Sequence, residues 1–200
     1  MIVSRFLITL FILISVSTAF GALDSPEAGK KLESYGSFKT TFYDIAPEKN
    51  YPIGNQASIL DVKGGTISKV HEIYKRALDI EGTGQLLSGT IVNYALRINN
   101  EIRYRISSVP YGWGVGQCPL RPYRTIAVDP KWIPLGSQVF IPKAQGIPLP
   151  DGTVHDGIFY AEDIGSAIEN KHIDFFTAFG ESSAKPFIDA GIVTKGYVDV

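Results

Sequence analysis

The sequence predicts a mainly β domain, closed into a small barrel. Three features predict it: many short apolar runs of strand length, one helical pattern, and turn residues throughout, with 20 glycines and 12 prolines in 200 residues. A chain of this length holds one domain with a substantial core. Charge is nearly balanced, 19 Lys and Arg against 20 Asp and Glu. That leaves no basic footprint for nucleic acid.

The elements follow in order. Arg5 precedes an apolar run from Phe6 to Val16, and Ala19-Phe20-Gly21 offers small residues for cleavage, so 1–22 reads as a signal peptide. The run is too short to span a bilayer, and an uncleaved anchor is the alternative. The expectation is export to the periplasm or cell envelope, with no membrane span after cleavage. Residues 23–37 are polar and small, and read as a flexible arm before the domain at 38–200. Phe38 to Ile45, with Thr40-Thr41-Phe42-Tyr43, is rich in strand formers and stops at Pro47. Tyr51 to Gly65 carries Pro, Asn and Gly and reads as loop. From Thr66 to Ile80, Ile67, Val70, Tyr74, Ala77 and Leu78 recur at helical spacing, with Gly82 as the stop. Asp79 and Glu81 sit at the end of this helix that its dipole disfavours for acids, so packing must hold it.

Beyond Thr90 the pattern turns to strands. Ile91 to Ile98 and Glu101 to Ser107 flank Asn99-Asn100, a hairpin signal because Asn tolerates positive φ. Ile102, Tyr104 and Ile106 alternate with Glu101, Arg103 and Arg105, which gives one buried face and one wet face. Further strands are expected at 124–128, 137–141, 157–161 and 197–200, with a turn at Pro150-Asp151-Gly152. Cys118 is the single cysteine and has no base beside it, so it reads as a structural thiol in a fold without disulfides.

Three aspartates stand at segment ends or between apolar neighbours. Asp129 precedes Pro130, Asp163 precedes Ile164-Gly165, and Asp174 lies between Ile173 and Phe175-Phe176. Asp129 and Asp163 also suit turn or cap positions; Asp174 has little structural reason to be there. The three histidines, His71, His155 and His172, show no metal-ligand spacing, and no serine nucleophile motif is present. No metal and no cofactor is expected. His172 reads as a hydrogen-bond partner for a carboxylate. Trp113, in Tyr111-Gly112-Trp113-Gly114, could stack on a sugar ring or fold back onto the core. Arg121 and Arg124 could pair with substrate carboxylates or with acids of the barrel.

Six segments match a known pattern: Thr41-Phe42-Tyr43, Ser88-Gly89-Thr90, Arg124-Thr125-Ile126-Ala127-Val128-Asp129-Pro130, Ile133-Pro134-Leu135-Gly136, Ala161-Glu162-Asp163-Ile164-Gly165 and His172-Ile173-Asp174-Phe175-Phe176. With the closing segment 191–200, they resemble the 3D-domain family, named for three aspartates, and the catalytic barrel of the membrane-bound lytic transglycosylase A family. The resemblance covers 38–200, with 46–82 as a helix-containing insertion, and 124–176 is its most specific part.

The resemblance implies a six-stranded double-psi β-barrel that acts on the glycan strands of peptidoglycan, cleaving the β-1,4 bond between N-acetylmuramic acid and N-acetylglucosamine. Such an enzyme is a lytic transglycosylase of cell-wall turnover and leaves 1,6-anhydro-muramyl ends. One carboxylic acid protonates the glycosidic oxygen and then takes the proton of the muramyl C6 hydroxyl. Asp174 aligns with that acid, its apolar neighbours Ile173, Phe175 and Phe176 keeping it protonated. Asp163 is then the like-charged neighbour and Asp129 a supporting group. Thr41, Tyr43, Trp113, Arg124, Gly165 and His172 are the implied substrate-binding residues, in a monomer whose partner is the glycan strand. The chain departs from the family at Ile164-Gly165-Ser166, where a second glycine is usual, and at Glu169-Asn170-Lys171, where Lys-Gly is usual. The large groove-forming domain of the transglycosylase is expected to be missing, so that substrate grip comes from the insertion or the barrel loops. A non-catalytic peptidoglycan-binding module and a hydrolase on the same barrel are the alternatives.

Overall fold

The structure is a computed structural model that describes residues 33–200. The expected signal peptide, and the expected arm up to residue 32, lie outside the described residues. In chain order the strands are β1 (Ser37–Pro47), β2 (Ala57–Asp61), β3 (Thr66–Val70), β4 (Thr83–Gln85), β5 (Ile91–Ile98) and β6 (Glu101–Ile106). They continue with β7 (Thr125–Val128), β8 (Gln138–Phe140), β9 (Ile158–Asp163), β10 (His172–Phe179) and β11 (Tyr197–Asp199). Helix α1 (Glu72–Glu81) lies between β3 and β4, and the short α2 (Lys185–Asp189) between β10 and β11. None of the described helices is long and apolar enough to cross a membrane.

The fold is mainly β, as the composition predicts. One mixed sheet runs β3-β2-β6-β5-β4-β1-β10-β7-β9-β8, with β11 added on β1. Strand β1 serves two neighbourhoods. From Lys39 to Ile45 it pairs in parallel with β10, and its last two residues pair in parallel with β4. The end of the expected arm is tied down: Tyr35 N–H donates to Val200 O at 2.7 Å, and Val200 N–H donates to Gly36 O at 3.0 Å.

Each neighbourhood has its own core. Phe38, Ile126, Val128, Phe159, Ile173, Phe175 and Phe187 are among the buried residues packed together under β1, β7, β9 and β10. Ile59, Val70, Tyr74, Leu78, Val92 and Tyr104 pack together between α1 and the strands β2 to β6. The second cluster corrects two expectations. Tyr51 to Gly65 is not all loop, because Ala57–Asp61 pairs with β3 and β6. The hairpin β5–β6, whose turn residues Asn99 and Asn100 have φ of 48° and 64°, joins this second group of strands. The presumed insertion is thus one part of a β unit that continues to Ile106.

The helix is also shorter than the spacing predicts. Ile67 and Val70 fit a helical period, yet 66–70 is strand, because pairing with β2 satisfies its backbone. The helix begins after His71, whose Nδ1 accepts the Ile73 N–H at 3.1 Å. It ends where expected, at Gly82 in the left-handed conformation. It packs closely on β4 at Gly84, where a Cβ would lie 2.5 Å from the Tyr74 hydroxyl and 2.7 Å from Leu78 Cδ1. The acids at its disfavoured end are held by tertiary partners. Asp79 meets Lys75 and the Tyr104 hydroxyl, each at 2.5 Å, and Glu81 accepts the Asp44 N–H at 3.1 Å.

Candidate active site

Backbone register sets the site. Across β1, β10, β7 and β9, Thr41 pairs with Asp174, Asp174 with Ala127, and Ala127 with Asp163. Register partners project to the same face of a sheet, so the four residues form one row. The pairing of β7 with β9 shifts between Ile126 and Ala127, skipping Glu162. That bulge turns Asp163 onto the face of Asp174. The two aspartate backbones are roughly 10 Å apart, two strand spacings, with only the methyl group of Ala127 on the strand between them.

The carboxylates differ in what they accept. Asp163 receives the Tyr43 hydroxyl at 2.9 Å and the Ile164 N–H at 2.9 Å. Asp174 receives the Thr41 hydroxyl at 2.6 Å. Both keep some access to solvent, but protein atoms crowd most of their surroundings. Burial raises Asp163 to about 6, opposed by the bonds from Ile164 and Tyr43. Burial also raises Asp174 to about 6, opposed by Thr41 and reinforced by the charge of Asp163. The larger donor set of Asp163 favours its ionised form, and the charge of Asp163 raises Asp174.

The apolar surroundings of Asp174 are not those its sequence neighbours suggest. Strand alternation turns Ile173 and Phe175 to the opposite face, into the core with Ile126 and Val128. On its own face stand His172 and Phe176, the latter packed with Ile45 and Leu120 and against Tyr43 and Tyr111. Tyr43 is itself shifted well upward by burial and by the charge of Asp163, so its hydroxyl stays a donor. His172 Nε2 lies 2.9 Å from the Thr41 hydroxyl. Burial and the charge of Lys39 hold that ring below its usual value, favouring the neutral form.

Asp129 is placed elsewhere. It stands at the end of β7, and its two oxygens accept the backbone N–H of Lys131 at 3.0 Å and of Asn170 at 2.8 Å. Those bonds lower its pKa and brace the loop after β7 against the loop before β10. Arg124 also lies apart from the acids, bonded to Asp156 and, at 3.1 Å, to Ile158 O. Gly165 belongs to the turn after Asp163, where a Cβ would lie 2.7 Å from Ile168 Cγ1. Trp113 is half-buried; its N–H donates to Asn93 Oδ1 at 2.7 Å. The neighbouring Gly114 runs so near β9 that a Cβ would stand 2.4 Å from Glu162 O. Glu162 anchors this wall, holding Arg121 at 2.5 Å and accepting the Thr125 hydroxyl at 2.9 Å. Arg121 lies 3.9 Å above the Tyr160 ring.

Two acids escaped sequence reasoning. Glu81 is raised to about 7, first by burial, then by the charges of Asp44, Asp174 and Glu181. Asp44 is raised to about 6 by burial, while accepting the Gly180 N–H at 3.0 Å. Glu81 thus approaches the site from the second group of strands. Its signal was the acid at the disfavoured end of a helix, where the dipole adds to its shift. Among the described residues no three His, Cys, Asp or Glu side chains are grouped to hold a metal ion.

Residues 124–198 match the family model of the 3D domain. No curated protein sequence matches the chain. The fold is similar to that of E. coli MltA with bound chitohexaose, at 14% identity and a TM-score of 0.59, over 83% of this chain and 72% of that one. It is also similar to the membrane-bound lytic murein transglycosylase from Agrobacterium tumefaciens, at 15% identity and a TM-score of 0.50, over 83% of this chain and 74% of that one. A match over 83% of the chain reaches well beyond 124–198. It takes in strands of the second group as well.

Proposed function

We propose that this protein is an exported peptidoglycan lytic transglycosylase. It cleaves the β-1,4 bond between N-acetylmuramic acid and N-acetylglucosamine in cell-wall turnover, on strands closed as a double-psi barrel. The observation that carries the reading is the pair Asp163–Asp174: two half-buried carboxylates on one face of the sheet, either side of Ala127, with unequal donor sets.

Asp174 is the acid. Still protonated beside an ionised Asp163, it gives its proton to the glycosidic oxygen as positive charge develops at the muramyl C1. The resulting carboxylate accepts the proton of the muramyl C6 hydroxyl, whose oxygen attacks C1 from within the same sugar. The bond to the leaving sugar breaks, the 1,6-anhydro bond forms, and Asp174 regains its proton. Asp163 stays ionised throughout, near the developing charge. No water is activated, so the separations that govern hydrolysing carboxylate pairs do not bind this site. The intramolecular attack is favoured because binding has already fixed the attacking hydroxyl.

The likeness in fold to a transglycosylase seen with bound chitohexaose supports a glycan strand as the substrate. Incubating the purified protein with sacculi and weighing the released fragments by mass spectrometry tests the reading. Fragments lighter by one water, ending in 1,6-anhydro-N-acetylmuramic acid, are expected. Reducing muramyl ends would make it a hydrolase, and binding without release a non-catalytic module.

A further inference from the structure

Thr41 stands between two titratable groups. Its hydroxyl oxygen lies 2.6 Å from Asp174 Oδ1 and 2.9 Å from His172 Nε2. A hydroxyl has one proton to donate and two lone pairs, so it cannot donate to both at once. A neutral ring that carries its proton on Nδ1 leaves Nε2 as an acceptor for that hydroxyl.

We propose that Thr41 is a positioning residue whose single hydroxyl proton points to His172 Nε2 while Asp174 is protonated and swings to Asp174 Oδ1 when that carboxyl ionises. The proposal rests on the reading of Asp174 as the group that gives up and regains a proton. No proton crosses Thr41 in either step. The proton of Asp174 goes to the glycosidic oxygen, and the hydroxyl of Thr41 only rotates.

The swing has two consequences. In the acid state Asp174 gains no hydrogen bond that would favour losing its proton early. Once the proton has left, the new carboxylate gains a short bond to a donor already in place, without waiting for water. A hydrogen bond to a charged group is stronger than one between neutral groups, so the bond is made where charge appears. His172 acts as the holder of the hydroxyl proton between turnovers, a role that needs the ring neutral. The charged groups around the pair are consistent with this. Lys39 on β1 disfavours a charged ring. Asp163 on β9 raises Asp174, and Glu81 on α1 is itself raised by burial and by the charges of Asp44, Asp174 and Glu181. Asp129, at the end of β7, is spent on backbone N–H groups.

The test is a nitrogen-15 NMR titration of His172 in the full protein, alongside glycan cleavage by Thr41→Val and Thr41→Ser. In the wild type, Nε2 should show an unprotonated acceptor whose shift steps as Asp174 titrates and its bond from Thr41 is lost. Thr41→Ser should keep that step and cleave within about 3-fold of wild type. Thr41→Val should abolish the step and lower kcat about 10-fold or more, the scale of one hydrogen bond to a charged group, with KM little changed. A proton on Nε2 across the titration, or a step that survives in Thr41→Val, would overturn the switch. If the step is present but the wild type cleaves no glycan, the switch stands and the proposed function fails.

Discussion

Asp163 and Asp174 are both register partners of Ala127, one from each side of β7. Both side chains stand on the same face of the sheet, with the small, buried Ala127 on the strand between them. On the proposed mechanism, a larger residue at 127 would crowd the position of the glycosidic bond.

Ala127→Val should therefore cost activity without unfolding the protein. Valine suits a strand, so the structural cost is that of modest overpacking, about 1–3 kcal/mol. Displacing the sugar by about 1 Å should lower kcat/KM by roughly 100-fold. Steady-state kinetics on glycan strands, with thermal melting as the control, check this; wild-type kcat/KM in the variant would remove Ala127 from the site.

Removing the charge beside the acid should move the pH profile. On the proposed mechanism the rate requires protonated Asp174, so it should fall as pH rises through the pKa of that group, raised to about 6. Asp163→Asn deletes a negative charge that raises Asp174, so Asp174 ionises at lower pH. The alkaline limb should shift to lower pH, with more activity lost at pH 7 than at pH 5. A limb that does not move would mean that Asp163 does not control the acid.

Glu81→Gln should stabilise the protein above neutral pH. The folded-state pKa of Glu81 is raised from 4.5 to about 7. Its contribution to stability is therefore fully present below the unfolded value and lost as pH rises through the folded one. The glutamine variant avoids that loss. It should melt several degrees higher at pH 8, a gain on the order of 2 kcal/mol, and match wild type near pH 4. Calorimetry at the two pH values measures it. Equal melting at pH 8 would mean the carboxylate is not penalised in the fold.

Much of this site was legible in the sequence, and what was not has physical causes. Asp163, Asp174, Thr41, Tyr43 and His172 were singled out as residues, and the structure brings them together on three strands. The sequence could not show that Ile173 and Phe175 turn away from Asp174, because local adjacency says nothing about which face is the core. Asp129 looked like a third acid, but a carboxylate before Pro130 is equally a turn brace, and both its oxygens meet backbone N–H groups. The second core was hidden because 57–70 reads as loop and helix when taken alone; its two strands pair with each other and, through β2, with the distant β6. Glu81 was invisible as a site residue, since its neighbours come from β1, β10 and the turn after β10.

Asp129→Asn should separate bracing from chemistry. An amide has one oxygen where the carboxylate has two, so one of the two loop contacts is lost. Melting should fall by a few degrees, while kcat at 25 °C stays within about 3-fold of wild type. A fall of about 100-fold in kcat with unchanged melting would return Asp129 to the catalytic group.

The most direct test of the central claim is product release from purified glycan strands by wild type and Asp174→Asn, side by side in heavy-oxygen water. The substitution keeps the shape and the Thr41 contact but removes the ionisable proton. The wild type should release fragments with unlabelled 1,6-anhydro ends, and Asp174→Asn should lose at least about 100-fold in rate while melting no lower than wild type. Wild-type turnover by Asp174→Asn, or heavy oxygen in the muramyl ends made by the wild type, would contradict the account.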